Sequence, residues 1–345
     1  MAGRGTALIR KRVANRPRLR LHLDDVQATT KSRYDFMIAQ LNTLMTILGG
    51  VTVDTLLSES ETGAVQIWVL LLMQLHYDVG SAGVSEIGNL LSGLSRLVRL
   101  SVWVSHAAAP ISDAFLRPLW KAFSHWKRVE PYEFRMPLPR TCIHALMGAC
   151  VFHNRWHLLL FVLLTFHCWL RPNECLQLTW RDICVDSKLE ALGVVTIRNP
   201  KIKVPHTQHV LIECPFVAAF CAHMKNAHGG SVDSQVFSFT TYGLHKNWTF
   251  LVQTLALNQL ARHSSGLVTH ATPGGLRSSG ATLDFLNFES LDRVKWRGIW
   301  ATDGALKHYL QLGVYHLAAV QLSRETRWLV SKYSNIFLGF AVQFL

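Results

Sequence analysis

Several common catalytic signatures are missing from this sequence. It contains no glycine-rich phosphate loop ending in lysine, no Gly-x-Ser-x-Gly, no His-Glu-x-x-His, and no cluster of acidic residues suited to a two-metal nuclease. These absences exclude the P-loop nucleotide hydrolases, the serine hydrolases with a nucleophile elbow and the commonest metal-dependent hydrolases. Any chemistry must therefore come from residues in another pattern.

Paired cysteines and long apolar runs are also missing. Seven cysteines are scattered through apolar segments without a C-x-x-C pair, and no N-terminal signal peptide is recognisable, so we expect reduced thiols and an intracellular protein. Cys168 and Cys175 are expected to be small buried hydrophobic residues rather than metal ligands. The run from Leu158 to Leu170 is too short to cross a bilayer and contains His167, so we predict a buried helix and no membrane span.

Acidic residues are scarce relative to basic ones. The chain has 35 Lys and Arg against 22 Asp and Glu, a net charge of +13 and a pI near 9.7. Such a surplus favours a polyanionic partner, either nucleic acid or an anionic membrane surface. Residues 1–23 hold many of these charges, with no acid before Asp24. We predict a disordered basic arm that could contact DNA through Arg10, Lys11 and Arg12.

Changes in hydrophobic periodicity divide the chain into four parts. Residues 1–24 form the basic arm, 25–127 a helical domain, 128–140 a proline-bearing linker, and 141–345 a second domain. The predicted fold is mainly α with a small β-sheet: an N-terminal all-α bundle followed by a mixed α+β domain. An apolar fraction of 49% supports sizeable cores.

Individual elements follow from the same patterns. Residues 64–75 are apolar nearly all round and predict a central helix, whereas residues 194–197 and 208–212 predict a β-hairpin with a basic tip. A helix from about Ser112 to Trp126 contains Pro118, which is expected to kink or shorten it. Further helical patterns cover residues 156–170, 216–226, 246–262, 278–288, 290–297 and 303–322.

Two segments contain residues able to bind and attack a phosphodiester. Arg171 follows the buried helix, and Glu174 three residues later could orient its guanidinium, although an ordinary helix-end salt bridge would explain the pair equally well. Arg277 follows Gly274-Gly275, where a glycine turn and a helix N-terminus suit a phosphate. Trp300 and Tyr309 lie further on. A tyrosine can attack phosphorus, although a core tryptophan and a structural tyrosine are the ordinary alternatives.

Together these segments resemble the catalytic domain of tyrosine recombinases, the phage-integrase family. LRPNECLQLTWRDI, residues 170–183, is similar to the first box of the family, and residues 269–311 are similar to the second box and the segment that carries the nucleophile. The resemblance covers roughly residues 130–322 well. It covers residues 25–126 only loosely, as the helical core-binding domain.

The resemblance implies a role for each matching residue. Arg171, Arg277 and Trp300 would stabilise the phosphate, Lys201 would protonate the leaving oxygen, and Tyr309 would be the nucleophile. Supporting positions are Glu174, Asp182, the competing hairpin lysine Lys203, and His270. Further DNA contacts are expected from Lys127, Arg128 and Arg297.

The sequence departs from the second box at one position. The histidine of His-x-x-Arg is replaced by Gly274, and the nearest histidine is His270, four residues earlier. Loss of this imidazole would remove a phosphate contact and a candidate base for the tyrosine proton. A rotation that brings in His270 is one possible compensation.

The expected function is site-specific DNA recombination through a 3′-phosphotyrosyl intermediate, without metal or cofactor. The partners implied are double-stranded DNA and further copies of the chain, as a homotetramer on two duplexes, in the nucleus or nucleoid. The apolar segment that ends at residues 336–341 could pack on a neighbouring copy or close over its own core. Two alternatives remain open: a catalytically impaired DNA-binding relative, and a type IB topoisomerase-like enzyme.

Overall fold

The computed structural model describes residues 28–58, 61–79, 84–104, 116–129, 136–185, 193–198, 200, 207–258, 261–262, 268–269, 271–300, 302–303, 306, 309–310 and 312–344. Side chains of residues 28, 29, 58, 84, 99–104, 129, 261, 262, 268 and 269 lie outside this description. The described residues fall into two units, one ending at residue 129 and the other beginning at residue 136.

The first unit is built from helices alone within the described residues. Its helices are α1 Ala28–Gly49, α2 Val53–Ser58, α3 Thr62–Val79, α4 Val84–Val104 and α5 Arg117–Val129. Apolar side chains at four-residue intervals, such as Met37, Leu41 and Met45 of α1, are fully buried and form its core. The N-terminal all-α bundle predicted from the helical pattern is therefore confirmed within the described residues.

Helix α3 is not the fully buried helix that its composition predicts. Val65, Val69 and Leu72 face the core, but Ile67 is 68% exposed and Leu71 is 45% exposed. The prediction was wrong because an apolar surface all round a helix does not guarantee neighbours on every side.

Helix α5 begins at Arg117, and the residues around Ser112 lie outside the described residues. Pro118 occupies its first turn, where a missing backbone N–H has no cost, so Pro118 does not kink this helix. The prolines of the predicted linker are split: Pro131 is outside the described residues, whereas Pro137 and Pro139 are buried ahead of the next helix.

The second unit combines helices with a small antiparallel sheet. Its helices are α6 Arg140–Phe152, α7 Trp156–His167, α8 Pro172–Leu176, α9 Pro215–His228, α10 Thr241–Thr254, α11 Gly275–Phe288, α12 Leu291–Arg297, α13 Leu312–Val320 and α14 Arg324–Ala341. The sheet has the order β1 Ile183–Val185, β2 Gly193–Ile197 and β3 Gln208–Ile212. Strand β2 pairs with β3 so that Val195 faces Val210, which confirms the predicted hairpin.

One helix boundary differs markedly from its prediction. Residues 246–262 read as a helix, but α10 begins at Thr241 and ends at Thr254. The hydroxyl of Thr240 accepts a hydrogen bond from the Gly243 N–H at 3.3 Å and so caps the helix earlier than expected. Residues 261–262 instead pair with residues 268–269 as the short strands β4 and β5.

Helix α7 is the centre of the second core, as predicted. Its residues 158–166 are all buried, but the helix ends at His167 because Trp169 adopts a positive φ of 52° and the chain turns away. Two glycines allow other helices to approach closely. A Cβ at Gly280 of α11 would lie 2.2 Å from the Phe166 carbonyl oxygen, and a Cβ at Gly148 of α6 would lie 1.8 Å from that of Tyr333 in α14. The terminal helix α14 therefore closes over its own unit.

Two histidines of this unit predict a loss of stability on acidification. Burial lowers the pKa of His144 to about 4 and that of His167 to about 3, and the nearby charges of Arg140 and Arg297, respectively, lower them further. Below pH 6.5 these histidines bind protons in the unfolded chain but not in the folded chain, so stability is lost as the pH falls towards 4. A histidine that stays neutral in the folded chain contributes a slope of at most about 1.4 kcal/mol per pH unit, and both side chains are partly exposed, so each contributes less.

The check is the urea unfolding midpoint between pH 7 and pH 5. The double variant His144→Gln/His167→Gln is expected to show a shallower decline than the wild type. Equal declines in the two proteins would contradict this prediction.

Candidate active site

Glu174 fixes Arg171 at the start of a short helix. The chain turns after α7, and Arg171 immediately precedes α8. Pro172 is the first residue of that helix, where its lack of a backbone N–H has no cost. One carboxylate oxygen of Glu174 accepts the Arg171 backbone N–H at 3.0 Å, and the other accepts Nη1 of the same arginine at 2.5 Å. Glu174 is buried, whereas the Arg171 side chain is 20% exposed. Arg171 is therefore held in place while part of its side chain stays accessible.

Arg277 of α11 approaches the same carboxylate. Its Nη1 lies 3.9 Å from Oε2 of Glu174 and donates to the Trp169 carbonyl oxygen, while Nη2 donates to the Gly298 carbonyl oxygen at 2.8 Å. Burial, and then the charge of Arg171, lowers the Arg277 pKa to about 10. Arg277 consequently remains a cation at neutral pH.

Trp300 and Tyr309 complete this cluster. The Arg277 guanidinium carbon lies 4.8 Å from the Trp300 ring centroid and 5.5 Å from that of Tyr309, and the two ring centroids are 5.0 Å apart. Trp300 is buried and Tyr309 is half-buried. The Thr282 hydroxyl donates to the Tyr309 carbonyl oxygen at 3.1 Å and fixes the backbone there. Of the predicted catalytic residues, the structure thus brings together Arg171, Arg277, Trp300 and Tyr309.

Two polar groups in this cluster are buried without a hydrogen-bond partner among the described residues. They are Nε of Arg277 and Nε1 of Trp300. A buried donor without a partner is costly, and in a native protein it often marks a position that a ligand or solvent satisfies. Both groups are N–H donors, so the ligand that suits them is an acceptor-rich anion.

Several predicted residues cannot be placed in this site. Lys201, Lys203, His270, Arg10, Lys11 and Arg12 lie outside the described residues. Gly274, at the position of the missing histidine, is buried immediately before α11. A Cβ on the next residue, Gly275, would lie 2.7 Å from the Met136 carbonyl oxygen, so this turn is packed against backbone.

Asp182 holds the start of the sheet in place. One of its carboxylate oxygens accepts hydrogen bonds from the backbone N–H of Thr179 at 2.9 Å and from its hydroxyl at 2.8 Å. The other oxygen accepts Nε of Arg198 at 2.6 Å. This buried carboxylate links the segment after α8 to the end of β2.

The predicted DNA-contacting residues differ in exposure. Arg128, in the last turn of α5, is exposed, and Lys127 lies over the Phe123 ring at 4.5 Å. The side chain of Arg297 is only 16% exposed, and its guanidinium pairs with Asp284 at 2.6 Å. Its contact with DNA stays a prediction.

Sequence reasoning missed three contributors to the cluster. The carbonyl oxygens of Trp169 and Gly298 accept the Arg277 guanidinium, and Thr282 anchors the backbone of Tyr309. Only Gly298 left a signal in the sequence, as a glycine two residues before Trp300. A Cβ at this position would lie 1.8 Å from the Trp300 ring.

Metal sites and membrane-spanning helices are both absent from the described residues. Among them, no group of three or more His, Cys, Asp or Glu residues could hold a metal ion, and no helix is long and apolar enough to cross a membrane. Cys168 and Cys175 are both buried and unpaired, and burial raises the pKa of the Cys168 thiol to about 12.

Comparison with known proteins gives matches only among solved structures. No family model matches the chain, and neither does any curated protein. The chain is similar to the XerH site-specific recombinase bound to a palindromic difH substrate in a post-cleavage complex, with 15% identity, a TM-score of 0.50, and coverage of 70% of this chain and 67% of that one. The pre-cleavage XerH complex with difH gives 16% identity, a TM-score of 0.50 and coverage of 74% and 70%. A lambda integrase dimer bound to a core site gives 15% identity, a TM-score of 0.48 and coverage of 90% and 88%.

The similarity to the two XerH structures defines the class of fold. The chain has the tyrosine-recombinase fold, and the predicted architecture, mainly α with one small antiparallel sheet, is confirmed. At such low identity the comparison establishes the fold, whereas the chemistry must be argued from the cluster around Glu174.

Proposed function

We propose that this protein is a site-specific DNA recombinase that cuts and rejoins strands through a 3′-phosphotyrosyl intermediate. The observation that supports this most directly is the convergence of two guanidiniums on one buried carboxylate, with the Tyr309 ring 5.5 Å from the Arg277 guanidinium carbon. Two cations beside a phenol can hold a phosphodiester and attack it, and they need no metal to do so.

In the proposed reaction, the Tyr309 hydroxyl attacks the scissile phosphorus in line with the 5′ oxygen. A bond forms between the tyrosine oxygen and phosphorus, the bond from phosphorus to the 5′ oxygen breaks, and the leaving oxygen takes a proton. Lys201 is the proposed donor of that proton, with Lys203 as the competing donor. The tyrosine proton passes to solvent or to a nearby base, for which His270 is one candidate in the absence of an imidazole at Gly274. A free 5′ hydroxyl of a partner strand then reverses the step.

The cluster favours the pentacoordinate state for electrostatic reasons. Arg171 and Arg277 share Glu174 and so leave one net positive charge before DNA binds, and the phosphate gains negative charge as the tyrosine attacks. Fixed cations in a partly dehydrated site stabilise such developing charge strongly. The buried N–H of Trp300 offers a further donor for a phosphate oxygen.

Double-stranded DNA is the proposed substrate. The net charge of +13 favours a polyanion, and the XerH structures of similar fold are complexes with difH substrates. Exchange of four strands between two duplexes needs four nucleophiles. We therefore propose four copies of the chain on two duplexes, each contributing Tyr309.

The test is to trap the intermediate on a nicked half-site, from which the short leaving strand diffuses away. A labelled band that resists denaturation and shifts by the mass of the protein is expected. DNA binding without such a band would favour a catalytically impaired relative, for which Gly274 is the relevant observation. Relaxation of supercoiled DNA by a monomer without strand exchange would instead indicate a type IB topoisomerase.

A further inference from the structure

A charged network is linked to Arg277 through Trp169 and Gly298. It contains two arginines from α12, Arg293 and Arg297, and two carboxylates, Asp284 from α11 and Glu213 from the end of β3. Arg297 pairs with Asp284 at 2.6 Å and with Glu213 at 3.2 Å. Arg293 pairs with the same two carboxylates at 3.0 and 2.9 Å. The four charges balance, so this network leaves no excess charge to attract DNA.

The two arginines differ in what else they contact. Arg297 donates from Nη2 to the His167 carbonyl oxygen at 2.8 Å, and its guanidinium carbon lies 4.5 Å from the Trp169 ring centroid. Arg293 instead lies over the ring of Phe288 at 4.2 Å, and its side chain is 36% exposed. Only Arg297 therefore connects the network to the turn that follows α7.

That turn and the end of α12 supply the two acceptors of Arg277. The Trp169 carbonyl accepts Nη1 of Arg277, and the Trp169 ring is the one covered by Arg297. The Gly298 carbonyl accepts Nη2, and Gly298 is the residue immediately after Arg297. The side chain of Arg297 thus contacts Trp169, and a peptide bond joins Arg297 to Gly298.

We propose that Arg297 is a positioning residue, which holds the carbonyl oxygens of Trp169 and Gly298 where they fix the guanidinium of Arg277. The expected effect of Arg297 on strand cleavage rests on the proposed function. The positioning of Arg277 does not, because it concerns only hydrogen bonds within the folded protein. It assigns to Arg297 a role behind the site in place of a contact with DNA.

The consequence for cleavage follows from the short range of phosphate contacts. Displacement of a catalytic group by about 1 Å can cost on the order of 100-fold in rate. Arg297→Met keeps much of the apolar stem but loses the pairs with Asp284 and His167. We expect single-turnover cleavage of the nicked half-site to fall 10- to 100-fold, in the range set by such a displacement, with half-site affinity changed less than about threefold, because no phosphate contact is removed.

Arg293→Met is the matched control. It removes an arginine from the same helix and the same two carboxylates, but leaves the contacts with Trp169 and His167 in place. Its cleavage rate is expected to stay within about threefold of the wild type. Arg297→Lys retains the charge beside Asp284 but cannot supply the same fork of donors, so an intermediate rate is expected. If Arg297→Met does not fold, Arg297→Lys replaces it in every comparison.

A substrate with a neutral methylphosphonate at the scissile position separates positioning from general damage. Without the negative oxygen, the reaction no longer depends on where the guanidinium lies, so the defect of Arg297→Met is expected to shrink several-fold. A defect of the same size on both substrates would overturn the inference, because it would show damage unrelated to Arg277.

Crystal structures of full-length Arg297→Met and Arg293→Met give a test that does not depend on cleavage. We expect Arg277 to leave at least one of its two carbonyl acceptors in the first variant and to keep both in the second. Retention of both hydrogen bonds in Arg297→Met would overturn the inference even if the enzyme cuts DNA. Absence of any adduct with the wild-type protein would overturn the proposed function, and the crystal structures would still decide the role of Arg297.

Discussion

Tyr309→Phe is expected to bind duplex DNA as tightly as the wild type and to form no covalent protein–DNA adduct. The substitution removes one hydroxyl and keeps the ring that lies 5.0 Å from Trp300 and 5.5 Å from the Arg277 guanidinium carbon. The hydrogen bond from Thr282 goes to the backbone carbonyl of residue 309, so it also survives. Loss of the nucleophile abolishes the covalent step, while the cationic contacts that supply affinity are unchanged. The measurement is the labelled adduct on a nicked half-site beside a gel-shift titration.

Tyr315→Phe is the matched control for this experiment. Tyr315 lies six residues further along the chain, is buried, and accepts the Arg140 backbone N–H at 3.0 Å through its hydroxyl. Its loss is expected to cost about 1 kcal/mol of stability through the missing hydrogen bond and to leave adduct formation intact. An adduct that persists in Tyr309→Phe and disappears in Tyr315→Phe would contradict the prediction, because it would identify Tyr315 and not Tyr309 as the nucleophile.

The architecture was predictable where the sequence pattern has one physical interpretation. The largely apolar run of residues 158–166 is buried as predicted, and the β-branched runs of β2 and β3 pair as expected. The pattern fails where the outcome depends on neighbours. Ile67 and Leu71 have the composition of core residues, but no element covers that side of α3 among the described residues. Periodicity identifies the apolar sides of a helix and does not say what will pack against them.

The candidate site was also predictable only in part. Glu174 lies three residues after Arg171, and this spacing alone suggests an ion pair, which the structure contains. The placement of Arg277 beside Tyr309 was predicted from the resemblance to a family, because sequence separation gives no distance. The carbonyl oxygens of Trp169 and Gly298 were not predictable, since every residue has a carbonyl and its direction depends on the local turn. The proposed roles of Lys201, Lys203 and His270 stay predictions.

The ion pairs of Arg297 could not be predicted from the charge of the chain. A basic residue near a candidate active site of a protein with net charge +13 suggests a DNA contact. Its partners, however, come from positions 213 and 284, far apart in sequence and unrelated by any spacing rule. A buried arginine is accommodated when carboxylates pair with it, and removal of one partner is then more costly than the pair is stabilising. Charge surplus therefore predicts the class of ligand and does not identify the residues that bind it.

Gly148→Ala is expected to destabilise the second unit by about 3 kcal/mol or more, since a small-to-large change in a packed interface can exceed the usual range when backbone must move. A Cβ at this position would lie 1.8 Å from the Tyr333 carbonyl oxygen, 2.7 Å from its carbonyl carbon and 3.2 Å from the Phe337 nitrogen. All three are backbone atoms of α14, so no side-chain rotation relieves the overlap. Helices α6 and α14 must separate, which loosens the packing of the buried Tyr333 and Phe337 side chains.

Gly339→Ala in α14 is the matched control, because a Cβ there meets nothing within 4 Å. Both substitutions replace a helical glycine and reduce the entropy of the unfolded chain equally, so their difference isolates the overlap at the interface. Gly339→Ala is expected to stabilise the protein by about 0.5–1 kcal/mol. Urea unfolding of the full chain, with the transition of the second unit followed separately, measures both effects. Similar stability of the two variants would show that α14 does not approach α6 through Gly148, and the argument that the terminal helix closes over its own unit would lose its main support.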